Sequence, residues 1–360
     1  MRRRNFLLVC PLQIILWLPL ASAQVFTVTD LGTLGGYYSF ATAVNNRGEV
    51  VGYSDIPDHS SVHAFLWTAN AGMQDLNPTN LTQSLASSIN DHGYVAGYAL
   101  FPIDDVRFQF HSVTWKKKKF QDLGTLGYFS EAFSINDFNQ VVGDTSVTGG
   151  NSDAAFLWTK KEEMRDLGTL GGGGASAQSI NNLGQVVGGS FTDNGFHAFS
   201  WTESEGLIDL GTLGGCMSQA NQVNDLGQVV GLSTPEGCDS TNLHAFLWTR
   251  NDGMQDLGAP AGTSFGGPGA INILGMVVGA ACPQPCLSQE SVHAFVWTEP
   301  TGWVDLNGLI PTDSGWVLEN VSSINAFGQI TGQGLINGQY HAFLLDPLDR
   351  LKKRHPVKRR

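Results

Sequence analysis

Short apolar runs recur along the whole chain, separated by turns rich in glycine and polar residues. Residues 64–68, Ala-Phe-Leu-Trp-Thr, are almost continuously apolar, which is how a strand covered on both faces reads. Residues 73–76, 85–89 and 94–98 predict three more short strands before the pattern returns. Between the third and fourth comes Asn90-Asp91-His92-Gly93. The fourth place of this turn is Gly48, Gly93, Asn139, Gly184, Gly227, Gly275 and Gly328 in successive copies. Six glycines and one asparagine mark a backbone site of positive φ, and a type I turn closed by such a residue predicts a β-hairpin.

Four blocks repeat in fixed order: Asp-Leu-Gly, a Ser/Ala segment ending in Ile-Asn, Gly-Gln-Val-Val-Gly, and His-Ala-Phe-Leu-Trp-Thr. The Asp falls at Asp30, Asp75, Asp122, Asp166, Asp209, Asp256 and Asp305. The Asn falls at Asn45, Asn90, Asn136, Asn181, Asn224, Asn272 and Asn325. The fourth block opens with His63, His111, Ala154, His197, His244, His293 and His341. Successive Asp residues lie 43 to 49 apart, giving seven units. Four strands in a unit of that length is the arithmetic of a β-propeller blade. Residues 25–28 enter in phase with the second strand of a unit, and residues 341–345 supply a first strand. The expected fold is therefore all-β, a seven-bladed β-propeller closed by pairing of its N- and C-terminal strands. A β-solenoid or other stacked-sheet array is the alternative, although it would favour polar caps over complementary ends.

The repeated blocks resemble the HAF-repeat family of bacterial extracellular proteins, named for the His-Ala-Phe triplet at 63–65, 197–199, 244–246, 293–295 and 341–343. Residues 111–113 (His-Ser-Val) and 154–156 (Ala-Ala-Phe) depart from it. The resemblance implies an exported repeat protein and no particular reaction. The repeated His also resembles that of WD40 propellers, which implies a bond to the Asp or Asn of its own or a neighbouring blade. A residue present in every unit occupies seven symmetric places, whereas catalysis needs a group once. The His, Asp and Asn sets are accordingly read as a structural network, with no catalytic or metal role.

Residues 1–23 read as an export signal: Arg2, Arg3 and Arg4, then an apolar stretch from Phe6 to Leu20, then Ala21-Ser22-Ala23, with cleavage after Ala23. An uncleaved anchor is the alternative, and Arg3-Arg4-Asn5-Phe6-Leu7 also resembles the twin-arginine motif. Residues 24–345 form the propeller, and 346–360 a basic tail expected to be disordered. Beyond the signal stand Cys216, Cys238, Cys282 and Cys286. An even count in an exported chain favours disulfides, Cys216–Cys238 within one repeat and Cys282–Cys286 closing Cys-Pro-Gln-Pro-Cys. A four-cysteine zinc site is the rival, though the spacing fits no zinc ribbon.

The charge is unevenly placed. All 32 acidic residues lie within 24–349, beside only ten of the 20 basic ones; three basic residues stand in 1–23 and seven in 350–360. So acidic a body would repel a phosphate backbone, which argues against nucleic acid as a partner. No stretch after the signal is long and apolar enough to span a bilayer. There is no Gly-x-Ser-x-Gly, no His-Glu-x-x-His and no phosphate loop; Gly171 to Gly174 lacks the Lys and helix of a phosphate cradle. No cofactor is expected.

The connectors of varying length are 53–62, 98–110, 144–153, 189–196, 232–243, 280–292 and 333–340. They should gather on one rim, the expected binding face. They carry Asp55, Asp58, His59, Asp104, Asp105, Arg107, Asp144, Asp153, Asp193, Asp239 and Glu290, which could attract Ca²⁺ or a cationic partner or serve only solvation. Trp316, in an insertion of the last unit, suits either sugar stacking or core packing. The expected function is a secreted, monomeric, non-catalytic module binding a surface protein or polysaccharide. The alternatives are a propeller-type glycan lyase or hydrolase, for which Arg47, His92, Tyr37 and Tyr38 are the loosely placed candidates, and a structural envelope component.

Overall fold

A computed structural model of the chain describes residues 25–348 apart from 79–80, 105–106, 118, 150–151, 239–241 and 284–291. The predicted signal and its cleavage site after Ala23, Asp105, Asp239, Cys286, Glu290 and residues 349–360 of the predicted tail lie outside the described residues; the first two residues assigned to that tail, Asp346 and Pro347, instead belong to the last strand, where they pair with Thr27 and Phe26.

Seven four-stranded antiparallel sheets make up the protein. After a first strand β1 (Phe26–Asp30), blade one consists of β2 (Ser39–Val44), β3 (Val50–Asp55), β4 (Val62–Thr68) and β5 (Gly72–Asp75), paired in that order. Five further blades repeat this order. The seventh takes three strands from the end of the chain, Trp316–Ile324, Ile330–Ile336 and Gln339–Pro347, and its fourth from β1. The register there runs from Phe26↔Pro347 to Asp30↔Phe343. The two ends thus complete one blade and close the ring. A linear array has no place for that pairing, so the alternative fold is excluded.

The Ser/Ala strands are innermost: residues from all seven line an axial opening of about 320 Å³. A structural blade therefore begins at the Ser/Ala segment. The His-Ala-Phe run is the third strand from the axis, and the Asp-Leu-Gly block contributes the outermost. The third strand reads as continuously apolar because it is covered twice. Phe65 and Trp67 pack against Ala342 and Leu344 of the preceding blade, while Ala64 and Leu66 pack against Leu81, Ala86 and Ile89 of the next. Phe65, Phe156, Phe199, Phe246 and Phe343 are fully buried, each contributing about 2–3 kcal/mol of transfer free energy.

Polar links cross the same seams. The amides of Ala342, Ala64, Ser112 and Ala198 donate to the hydroxyls of Ser39, Ser84, Ser130 and Ser218 in the following blade. Each turn residue predicted to need positive φ has it, from 60° at Asn139 to 76° at Gly48 and Gly184. The hairpin they close joins the inner two strands, Gly48 donating to the Asn45 carbonyl at 3.0 Å.

Cys216 and Cys238 form a disulfide with Cα atoms 5.3 Å apart. Cys282 is also disulfide-bonded. A shared zinc site is thereby excluded, since these sulfurs are covalently committed. Trp316 is half-buried and packs edge-on to Phe343, ring centroids 6.0 Å apart, so it belongs to the core of the closing blade. No helix among the described residues is long and apolar enough to cross a membrane.

Candidate functional site

The repeated asparagines meet one another. Asn45 Nδ2 donates to the Asn90 carbonyl, Asn90 to Asn136, Asn136 to Asn181, and so on until Asn325 donates to the Asn45 carbonyl, at 2.9–3.2 Å throughout. The result is a closed seven-membered circuit at one mouth of the axial opening. Each Oδ1 accepts the amides two and four residues further on; for Asn181 these are Leu183 and Gln185, at 3.0 and 2.9 Å. All seven side chains are buried. Asp could not replace Asn here, because the circuit needs a donor and an acceptor on one short side chain. With both ends of the amide engaged, the ring holds blades together and offers nothing to a ligand.

The histidines have separate partners. Nδ1 of His63, His111, His197, His244, His293 and His341 lies 2.7–2.9 Å from a carboxylate oxygen of Asp75, Asp122, Asp209, Asp256, Asp305 and Asp30 in the same blade. Each of these Asp residues also caps the amide two residues on, as Asp209 does for Gly211 at 2.7 Å. Asp166, in the blade where Ala154 stands in place of the His, keeps its cap to Gly168 and has no such partner among the described residues. These pairs are partly exposed, with Asp side chains 35–45% accessible, so they are weaker links than the buried network the WD40 likeness implies.

The four residues considered for a catalytic cluster do not converge. Arg47 and His92 stand in the turns of the asparagine mouth, whereas Tyr37 and Tyr38 precede the first inner strand at the opposite mouth. The variable connectors open at that opposite mouth, and there the unrepeated residues collect.

Tyr37, Tyr38, Phe40, Tyr53 and Tyr340 line a cleft of about 800 Å³ between blades one and seven, together with Glu319, Asn320, Gln333 and Gln339. Its shape starts at Gly36, where a Cβ would come within 2.6 Å of Asp55, so only glycine lets the chain pass this closely. Asp55 Oδ2 then accepts the Tyr37 amide at 2.9 Å and lies 2.6 Å from His59 Nδ1. The Tyr37 amide first, and His59 after it, hold the Asp55 carboxyl below its ordinary range. His59 in turn stacks on Tyr37, centroids 3.7 Å apart and planes within 8°. Tyr37 is 64% exposed yet fixed in orientation by this prop. Tyr38 bridges to Tyr340 across the ring closure, and Phe40 stacks on Tyr53 at 5.5 Å. Flat aromatic faces beside fixed amide groups are the chemistry of a site for a ligand with both C–H faces and hydroxyls.

The same mouth continues into blades two and three. Burial pushes the Tyr98 phenol up to about 12, with Glu131 adding to it. Glu131 and Asp144 face each other across the inner strands of blade three. Asp144 Oδ2 accepts from Ser176 Oγ at 3.3 Å, while its other oxygen is buried without a partner. Burial first, then the Glu131 charge, lift the Asp144 carboxyl to about 7. A carboxyl raised in the folded state favours folding while protonated. Its contribution is full below about pH 4 and is lost as pH rises through 7. Asp144→Asn is therefore expected to gain about 1–3 kcal/mol over the parent at pH 8.5 and little at pH 4.5, read from urea midpoints. Equal changes at both pH values would contradict this account.

Sequence reasoning missed Tyr53, Tyr98, Glu131 and Tyr340. A signal existed: the residue after the repeat's glycine reads Tyr53, Tyr98, Asp144, Gly189, Leu232, Ala280 and Gln333, a place of irregularity in an otherwise regular block. Among the described residues no group of three or more His, Cys, Asp or Glu side chains is arranged to hold a metal.

No family model matches the sequence, and no curated protein matches it. Solved structures do. The chain is similar to puromycin hydrolase, at 12% identity and a TM-score of 0.55, over 87% of this chain and 52% of that one. It is similar to the acylaminoacyl peptidase of Pyrococcus horikoshii at 9% identity and 0.54, over 88% and 52%. It also resembles the β-propeller domain of the Trilobed protease from Pyrococcus furiosus, at 10% identity and 0.51, over 75% and 84%. This chain thus spans about half the length of the hydrolase and of the peptidase. At such identities the likeness carries the propeller fold and nothing of their chemistry.

Proposed function

We propose that the protein is an exported, non-catalytic binding module of the HAF-repeat type, and that its ligand is a polysaccharide chain taken up in the tyrosine-lined cleft between blades one and seven. The observation that carries this reading is the Tyr37 ring, largely exposed and held flat by His59 and Asp55, beside Tyr340, Asn320 and Gln333. Sugar rings present apolar C–H faces to such aromatics and hydroxyls to such amides. The five His-Ala-Phe triplets support the family reading. The pattern of residues 1–23 and the Cys216–Cys238 disulfide support an oxidising compartment outside the cytoplasm.

Binding of the mature chain to a panel of surface polysaccharides tests the site. Tyr37→Ala and Tyr340→Ala are each expected to weaken binding by up to about ten-fold, one stacking contact apiece, with melting unchanged. Retention of parental affinity by the double variant would end the proposal.

The alternative of a glycan-cleaving enzyme draws on the facing Glu131 and Asp144 carboxyls, one of which titrates near neutrality. Product formation from a bound glycan, abolished by Asp144→Asn with binding intact, would favour it over the binding module.

A further inference from the structure

At the asparagine mouth each inner hairpin turn presents its third residue to solvent. Five of these seven residues are large and apolar: Phe138, Leu183, Leu226, Leu274 and Phe327, between 55% and 73% exposed. Arg47 and His92 complete the circle. Scattered single apolar residues on a surface need no explanation, but an apolar crown around a symmetry axis does. Within the crown, the second turn residue forms a collar. Asp91, Asp137 and Asp225 accept the amides of Asn46, Asp91 and Asn182 from the neighbouring blades, each at 2.8 Å. Those bonds leave three negative charges at the opening. Among the described residues, the one basic side chain within 4 Å of them is the His92 imidazole, 3.6 Å from Asp137.

The chain leaves the ring on this face. Asp346 Oδ1 accepts from Gln329 Nε2 at 2.6 Å, and the Pro347 ring lies 3.5 Å from where a Cβ on Gly328 would stand. The last strand therefore ends beside the turn that carries Phe327. The following residues, 349–360, contain seven Lys and Arg together with Leu351 and Val357. That strand is third from the axis, about 10 Å from the inner one by ordinary strand spacing. Twelve extended residues reach up to about 40 Å, ample to cross the mouth.

We propose that residues 349–360 dock across the asparagine mouth of their own ring, basic side chains on the aspartate collar and Leu351 and Val357 against the apolar crown. Charge sign, apolar content, exit point and length all match this occupant. The aromatic cleft stands at the other mouth, so this docking leaves it free. Because the attraction is between solvated charges, salt or an anionic polymer releases it.

Zero-length carbodiimide coupling of the full mature chain at low concentration, with the linked residues mapped by mass spectrometry, tests this. Cross-links are expected within the monomer, from Lys352, Lys353 or Lys358 to Asp91, Asp137 or Asp225. Their yield should fall by roughly five-fold or more in about 0.5 M salt. It should fall similarly in the variant carrying Arg350→Gln, Arg354→Gln, Arg359→Gln and Arg360→Gln, which keeps every coupling lysine and every collar carboxylate while lowering the charge of the tail. Phe138→Ser with Leu183→Ser, at exposed positions, should lower the yield by roughly three-fold with melting unchanged. Links confined to covalent dimers would assign the face to a second copy. Links to carboxylates outside the collar, or a yield indifferent to the arginine variant, would overturn the proposal as well.

Discussion

Gly188→Ala destroys the ring: the variant is expected to lose about 4 kcal/mol or more, enough to abolish soluble expression or lower the melting temperature by more than about 10 °C. A Cβ on Gly188 would stand 2.0 Å from the Ser176 carbonyl oxygen and 2.9 Å from the Ala177 Cα. Both are backbone atoms of the paired inner strand, so no rotamer change relieves the clash. The strand is already irregular there, its register shifting between Ala177 and Ser179, which brings the carbonyl over the glycine. Gly52, Gly97, Gly143, Gly231 and Gly332 meet the same obstacle at 1.9–2.0 Å. Gly173→Ala is the control, since nothing lies within 4 Å of its Cβ, and it should be close to neutral. A melting temperature for Gly188→Ala within about 3 °C of the parent would refute the explanation.

Asn181→Ala is the second large loss, about 3–4 kcal/mol in chemical denaturation. It removes the donor to the Asn224 carbonyl at 2.9 Å and the acceptor for the Leu183 and Gln185 amides. The Leu183 and Gln185 amides then lose their acceptor, and the Asn224 carbonyl keeps only the Gly227 amide at 3.0 Å; each bond lost at this partly buried site costs about 1–3 kcal/mol before relaxation. The circuit also loses its closure, so bonds on either side weaken with it. Asn182→Ala, one residue further on and partly exposed, should cost less than about 1.5 kcal/mol. If the two variants prove equally stable, the ring is not what couples the blades.

Much of this was written in the repeats. The glycine at the fourth turn position announced a left-handed residue, and Gly184 adopts φ 76°. The apolar run 64–68 announced a strand with two covered faces, and it lies between two blades. The partner of Asn181 was not legible, because the carbonyl it reaches belongs to Asn224, 43 residues away. Local spacing placed the asparagine in its own hairpin and said nothing of the neighbour. The candidate site was hidden for a related reason. Tyr340 and Tyr38 are far apart in the chain and touch only through ring closure, while attention to what recurs passes over Tyr53 and Tyr98, which do not.

Strand number, hairpin geometry and the matching of the two ends follow from residues close together in the chain, where φ preferences and alternating burial act directly. Which strand faces the axis, which mouth carries the aromatic cleft, and which three aspartates share the other mouth depend on how seven sheets rotate about a common axis. That arrangement is set by side chains packing between blades, so single residues from units tens to hundreds of positions apart acquire their neighbours only when the circle closes.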